Sequence, residues 1–346
     1  MRYIGNKKNL LEFIYSVVIE NKLPVATFCD IFAGTANVAK FFKSKGFEII
    51  SNDIMTYSYV FSRAYICNNK MPSFSGLSNE IKEPDIFKVI TFLNNQEGKK
   101  GFIYENYCSD GTRDKKFIRN YFSKENAMKI DSIREKIQNW KDNRKITENE
   151  FYILLCALLE VIPSVSNISG TYGAFLKIND PRMFKPLLLE VPTLVESYSE
   201  HECYQEDANK LIKEISPSIL YLDPPYNERQ YASNYHILES VAIWDKQISD
   251  SKTGLRPYED KKSDYCYKNK CITAFEELIN NARCEFILMS YNTEGIIPQN
   301  EIMRILSKKG KVTIYHQDYR RYKSNSNGDL LKENLKELLF FVRITN

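Results

Sequence analysis

Apolar positions along the chain fall into two rhythms. Val25-Ala26-Thr27-Phe28-Cys29-Asp30-Ile31-Phe32 is a short apolar run that stops at a turn, Ala33-Gly34-Thr35. Val38, Ala39, Phe41 and Phe42 then recur at helical spacing, and Phe47-Glu48-Ile49-Ile50-Ser51-Asn52-Asp53 is a second short run closing on polar residues. Strand, glycine turn, helix and strand make a βαβ unit, which predicts a parallel sheet. Ser218–Asp223 and Cys284–Ser290 read as further strands. Lys311–Tyr315 and Glu337–Ile344 flank a polar stretch with Ser, Asn and Gly, and predict a long antiparallel hairpin that closes the sheet.

The middle of the chain changes rhythm. Met128, Ile130, Ile133 and Ile137 place a helix over 126–141, and Phe151, Leu154, Leu155, Leu158 and Leu159 place another over 148–162. Thr147 with Glu150 fits a capping box ahead of the second, and Pro163 ends it. Residues 68–195 thus read as a mainly helical insertion, with 1–67 and 196–346 forming the two halves of one α/β domain. Repeats and low-complexity tracts are not evident.

Composition narrows the class without naming it. The 346 residues are 43% hydrophobic and 27% charged, ordinary for a globular protein. No apolar run approaches the ~18–20 residues that span a bilayer, so no membrane association is expected. The N-terminus has charge but no apolar stretch ending in a cleavage site, so no secretory signal is read there. The eight cysteines include no C-x-x-C pair, and His201, His236 and His316 do not cluster with them. Scattered thiols argue against structural zinc and fit a reducing, cytoplasmic setting.

The net charge of +4 says less than its distribution. Between Lys99 and Lys145 there are 13 basic and 7 acidic residues; between Arg304 and Lys323 there are 7 basic and 1 acidic. Clustered positive charge suits a polyanion, and a solvated surface in a Lys-rich protein gives the same count.

The chemistry concentrates in Asp223-Pro224-Pro225-Tyr226, directly after an apolar strand. Ligands of open α/β sheets bind at the carboxyl ends of strands. A conjugated exocyclic amine is a poor nucleophile, because its lone pair is delocalised into the ring. Acceptors on both of its protons would draw the nitrogen toward a pyramidal state. The Asp223 carboxylate can supply one and the carbonyl of Pro224 the other, with the proline rings of Pro224 and Pro225 stiffening the turn. Tyr226 would stack on the base. A strand-ending Pro-Pro turn capped by Asp223 is the plainer reading of the same four residues. Two weaker features accompany it. The glycine turn Asp30–Ala36 lets a ligand approach the backbone, but lacks the G-x-G-x-x-G of a dinucleotide site. Asp53, at the end of the second strand, is placed to accept from ribose hydroxyls; a turn-making Asp reads equally well there.

Taken together these motifs resemble the Dam-like, alpha-order family of DNA adenine-N6 methyltransferases over nearly the whole chain. Tyr3-Ile4-Gly5-Asn6-Lys7 resembles the family's motif X, which implies cofactor contacts for Tyr3 and Lys7. Asp30 through Ala36, with Phe32 and Gly34, matches motif I, the floor of the cofactor's methionine end; Ala36 stands where many members have a second glycine. Asp53 matches the acid on the cofactor ribose. Glu206-Asp207-Ala208 resembles motif III and implies that Asp207 lies near the cofactor adenine. Asp223 through Tyr226 matches motif IV, with Asp223 also facing the cofactor, and Asn227–Tyr231 followed by Asn234-Tyr235-His236 resembles the post-catalytic loop. Asn167–Lys177 looks like a branch of the family linked to restriction–modification systems.

The resemblance implies an S-adenosylmethionine-dependent methyltransferase with a Rossmann-like sheet, a C-terminal β-hairpin and an inserted target-recognition region. Its expected activity is site-specific transfer of a methyl group from S-adenosylmethionine to a flipped-out adenine in double-stranded DNA, as the protective half of a restriction–modification system. No metal is expected, since the leaving group is already activated by positive charge. Any cognate restriction endonuclease is expected to be a separate chain. Cytosine N4 or RNA as the acceptor, and a DNA-binding relative without catalysis, remain open alternatives. Tyr319-Arg320-Arg321-Tyr322-Lys323 suits phosphate contacts with stacking or a bare hairpin tip, and His236 reads as a structural hydrogen-bonder rather than a general base.

Overall fold

Among the described residues seven strands line up in one sheet, with the buried side chains concentrated in β1, β2, β4, β5 and β7: β1 (Thr27–Asp30), β2 (Glu48–Asn52), β3 (Glu202–Tyr204), β4 (Ile219–Leu222), β5 (Phe286–Asn292), β6 (Gly310–Tyr319) and β7 (Leu335–Ile344). The computed structural model describes residues 7–319 and 335–345. The spatial order is β3-β2-β1-β4-β5-β7-β6. β1 through β5 run parallel, while β7 is antiparallel to both β5 and β6. The expected hairpin is therefore present, with its second strand slotted inside the sheet and its first at the edge. β3 was not anticipated: its three residues carry no apolar run for a sequence pattern to show.

Strand alternation loads both faces of the sheet. On one side Cys29, Leu220, Leu222, Ile287, Met289, Phe340 and Val342 pack with Phe275, Leu278 and Ile279 of the helix Cys271–Asn281 and with Ile302 and Ile305 of the helix Gln299–Leu306. On the other, Phe28 stacks on Phe42 of the helix Asn37–Ser44 with ring centroids 3.9 Å apart. These parts form one compact unit, 7–54, 199–230 and 261–345. The strand order reverses between β1 and β4, so their carboxyl ends mark the topological switch point.

The second compact unit takes in 55–198 and 231–260, wider than the 68–195 read from the sequence. Its helices include Thr56–Tyr65, Ile86–Asn94, Lys124–Asp142, Glu148–Val161 and His236–Ile243. Buried carboxylates tie them end to end. Glu239 accepts from the backbone N–H of Thr56 and Tyr57, both at 3.0 Å, and Asp131 accepts from Ile103 and Tyr104, both at 2.8 Å. Each carboxylate sits at a helix start, where orphan N–H donors and the helix dipole favour it. His236 is fully buried; its Nε2 lies 3.0 Å from the Tyr172 carbonyl, and burial pushes its pKa down to about 4. A neutral, enclosed imidazole of this kind packs and hydrogen-bonds, in line with the structural role read for it. Among the described residues no helix is long and apolar enough to cross a membrane.

Candidate active site

The Asp223-Pro224-Pro225-Tyr226 turn leaves β4 at the switch point, because the four residues of that strand are buried and the chain can bend only past Leu222. β1 lies alongside with Asp30 opposite Tyr221. Both motifs that the sequence singled out therefore end at neighbouring strand tips in the same compact unit.

Four side chains close on one another around Asp223. The Lys7 ammonium lies 3.3 Å from a carboxylate oxygen of Asp223 and donates to both the Tyr226 hydroxyl and the carboxylate of Glu337. The Tyr226 hydroxyl donates to Asp223, and its oxygen is 3.4 Å from Glu337. The ammonium also sits over the Tyr226 ring, 4.6 Å from its centroid. The ring is held edge-on to Tyr291 at 5.0 Å, and the Tyr226 carbonyl accepts from the N–H of Ile296 at 3.1 Å. Lys7 and Glu337 are only 5% and 8% exposed, and Asp223 15%.

Electrostatics follow from this enclosure. Burial raises the Asp223 carboxyl, Lys7 and the Tyr226 hydroxyl pull it back, Glu337 pushes it up again, and the outcome is a pKa of about 6. Burial works against the charge of Lys7, but the two carboxylates outweigh it and hold the ammonium above its ordinary value. The Tyr226 phenol is raised well above its usual range by burial and then by Asp223. Two carboxylates thus compete for one ammonium and one hydroxyl, so Asp223 is a carboxylate at neutral pH whose partners are shared.

The glycine turn forms the adjoining wall. Asp30 is 1% exposed, and its Oδ1 has no hydrogen-bond partner among the described residues. Burial, followed by the nearby Asp223 charge, raises its carboxyl well above the usual range, against the backbone N–H groups of Ala39 and Phe32. Gly34 adopts φ 54°, a left-handed conformation that glycine takes without a Cβ clash. Its N–H donates to Asp53 Oδ2 at 2.8 Å, so two residues expected at the cofactor site are joined directly. Ala36 also adopts a left-handed φ of 56° and is fully buried. The backbone there has the conformation a glycine would take, and alanine accepts it at some strain. Phe32 packs edge-on against Tyr265 at 5.1 Å.

Asp207 has a structural task. Its Oδ1 caps the helix Ala208–Leu211 by accepting from Asn209 at 2.9 Å and Lys210 at 3.2 Å. Tyr3 lies outside the described residues, as do Arg320–Lys323 of the hairpin tip. Two residues of this region escaped the sequence. Asn52 accepts from the N–H of Glu206 at 2.9 Å and donates to the carbonyls of Ile31 at 3.1 Å and Glu206 at 3.0 Å, which pins the ends of β1 and β2 to the chain after β3. Glu337 is the other; a lone acid ahead of the apolar run Leu338–Val342 was its only trace.

Comparison with known proteins shows the family of the chain. Residues 3–305 match the D12 class N6 adenine-specific DNA methyltransferases. The chain is 41% identical to the type II methyltransferase M.FokI of Planomicrobium okeanokoites over 99% of its own length, and spans 52% of that protein. It is also 41% identical to M.NlaIII of Neisseria lactamica, covering 94% of this chain and 93% of the relative. It is 32% identical to M.CviAII of Paramecium bursaria Chlorella virus 1 over 99% and 98%. The chain thus spans about half the length of M.FokI and nearly all of the other two. The chain belongs to the D12 class of N6 adenine-specific DNA methyltransferases.

Proposed function

We propose that this chain methylates the N6 amine of adenine in a specific double-stranded DNA sequence, with S-adenosylmethionine as the methyl donor, as the modification half of a type II restriction–modification system. The observation that carries the reading is the position of Asp223: a buried carboxylate at the tip of β4, at the sheet's switch point, with Lys7, Tyr226 and Glu337 against it. When bound, the cofactor supplies a methyl group activated by a sulfonium charge.

The residues present fit that cofactor. Asp30 offers a buried, unpartnered oxygen to a cationic donor, Gly34 leaves the backbone open to close approach, and Asp53 carries a carboxylate for hydroxyl groups. Phe32, Lys7 and Asp207 complete the set, and Tyr3 joins it by resemblance. At the acceptor side, Asp223 and the Pro224 carbonyl would each take one N–H of the amine, localising the nitrogen lone pair. Pro225 stiffens the turn and the Tyr226 ring gives the base a face to stack on. With its lone pair so localised, the amine would face the methyl group of a cofactor held by Asp30, Gly34 and Asp53, and Asp223 would take up the surplus amine proton. Holding amine and methyl group in line contributes several orders of magnitude in favourable cases. Because the amine is inaccessible inside a duplex, the adenine must leave the stack. The helical region 68–195 would read the flanking bases, chiefly in the major groove where base patterns are distinct.

Incubation with labelled S-adenosylmethionine and duplex DNA, followed by digestion to nucleosides, tests this directly. Label is expected in N6-methyladenine, and Asp223→Ala should lose about 100-fold or more of the rate. Label in N4-methylcytosine, or incorporation only into RNA, would sink the assignment. A cytoplasmic location and a separately encoded endonuclease follow from the same reading.

A further inference from the structure

Glu337 belongs to none of the motifs that resemble the family, yet it is a buried charge on an interior strand of the sheet. It sits in β7 opposite Asn292 of β5 and Gln317 of β6. The five residues that follow it, Leu338–Val342, are buried and apolar. A carboxylate in such a strand costs free energy unless it is paired, and its partners are Lys7 and the Tyr226 hydroxyl.

Those partners are the same two groups that occupy Asp223. Both engage the same carboxylate oxygen of Asp223, Oδ1. For the amine to bond at that oxygen, Lys7 and Tyr226 must find another acceptor without entering water. Among the described residues Glu337 is the other carboxylate within reach of them. We propose that Glu337 is a positioning residue for methyl transfer: it takes over the Lys7 ammonium and the Tyr226 hydroxyl, so that the Oδ1 of Asp223 is released as an acceptor of the substrate amine. It never touches the amine; it acts through Lys7 and Tyr226. The idea rests on Asp223 being that acceptor.

The groups facing Asp223 give the proposal a signature. They are Lys7, Tyr226, Glu337, Tyr221 from its own strand and Asp30 from β1. Glu337 pushes the Asp223 carboxyl up and Lys7 pulls it down. Without the Glu337 charge, the ammonium would engage Asp223 undivided, and the carboxylate would become a weaker acceptor.

The test uses the full chain with saturating DNA and cofactor. Glu337→Gln keeps the shape and removes the charge, and kcat should fall roughly 10- to 100-fold with KM for DNA nearly unchanged. The acid limb of its kcat–pH profile should move to lower pH by about half a unit or more. Glu337→Asp restores the charge and should recover most of the rate and the limb. Equal kcat and an unmoved acid limb in Glu337→Gln would overturn the proposal. So would a loss that Glu337→Asp fails to recover although both variants melt at the same temperature. An Asp223→Ala control separates the two readings. If it methylates normally, the assignment of Asp223 fails; if it is inactive while Glu337→Gln matches the unmutated enzyme, the positioning role alone fails.

Discussion

An aspartate in water loses its proton near pH 4, whereas Asp223 keeps its proton up to about pH 6 because it is buried. The unfolded chain ionises first, so above pH 6 the folded protein carries a charge that the unfolded chain would hold in water. That lowers stability at neutral pH, and the penalty is relieved as the pH falls through about 6. Asp223→Asn, which removes the charge and keeps the volume, should therefore stabilise the sheet unit by on the order of 1–2 kcal/mol at pH 7.5. The gain should fade by about pH 4.5. Hydrogen exchange of β4 and β5 amides is the suitable probe, since Trp140 and Trp244 both lie in the other unit. A variant less stable than the parent at pH 7.5 would mean that pairing with Lys7 outweighs burial. Asp223 and Tyr226 stood out in the sequence because they belong to a contiguous motif whose chemistry can be argued, whereas Lys7 entered only by resemblance, as a cofactor contact. Glu337 did neither, because its meaning comes from a contact with a residue 330 positions away.

Elements were legible where a local rule fixes them. The helix Glu148–Val161 was read to within one residue, since its capping box and its terminating proline are both local. The structure shows the box closed: Thr147 Oγ1 accepts from the N–H of Glu150 at 3.3 Å, and Glu150 Oε2 accepts from the N–H of Thr147 at 2.7 Å. It also shows what local pattern misses. Glu150 Oε1 accepts from the N–H of Phe74, 76 residues away, at 2.6 Å. The two halves of the box should then differ in worth. Thr147→Ala loses one cap and should destabilise its unit by about 1 kcal/mol. Glu150→Ala also leaves the buried Phe74 N–H without a partner and should cost about 2–3 kcal/mol. Denaturation followed by the fluorescence of Trp140 and Trp244 reads the right unit, and equal losses would show that the Phe74 contact is worthless. β3 failed to register in the sequence for the converse reason: three residues of mixed polarity acquire strand geometry only by pairing with β2.

Across the chain, folding divides the basic residues between structural and exposed roles. The 13 basic residues between Lys99 and Lys145 read equally as a polyanion-binding stretch or as a solvated surface. Five of them serve the fold instead. Arg119 is 4% exposed and donates to the Ser251 carbonyl at 2.8 Å, and Arg134 is 1% exposed and donates to the Val241 carbonyl at 2.7 Å, at the end of the helix His236–Ile243. Lys129 donates to the Asn94 carbonyl at 2.6 Å, and Lys136 and Lys145 share the Glu80 carboxylate at 2.7 Å each. Arg113 and Lys116 are different: their side chains are 73% and 67% exposed, in ion pairs no closer than 3.4 Å. Surface pairs of that kind contribute little to stability, so these two cations are available to phosphates. If this unit holds DNA, Arg113→Ala and Lys116→Ala should each weaken binding about equally on all sequences. Each should also reduce the slope of log affinity against log salt by roughly 0.9, with stability unchanged. Arg134→Ala should do the reverse: it removes a buried cap from the carbonyls of Val241 and Ala242 and should destabilise the unit by about 2–4 kcal/mol, while leaving the salt slope of the folded fraction as it was. Salt titrations of duplex binding and denaturation curves on the three variants separate the two kinds of lysine and arginine. An unaltered slope in both Arg113→Ala and Lys116→Ala would mean that the exposed charge of this stretch is a solvated surface, and that DNA is gripped elsewhere on the chain.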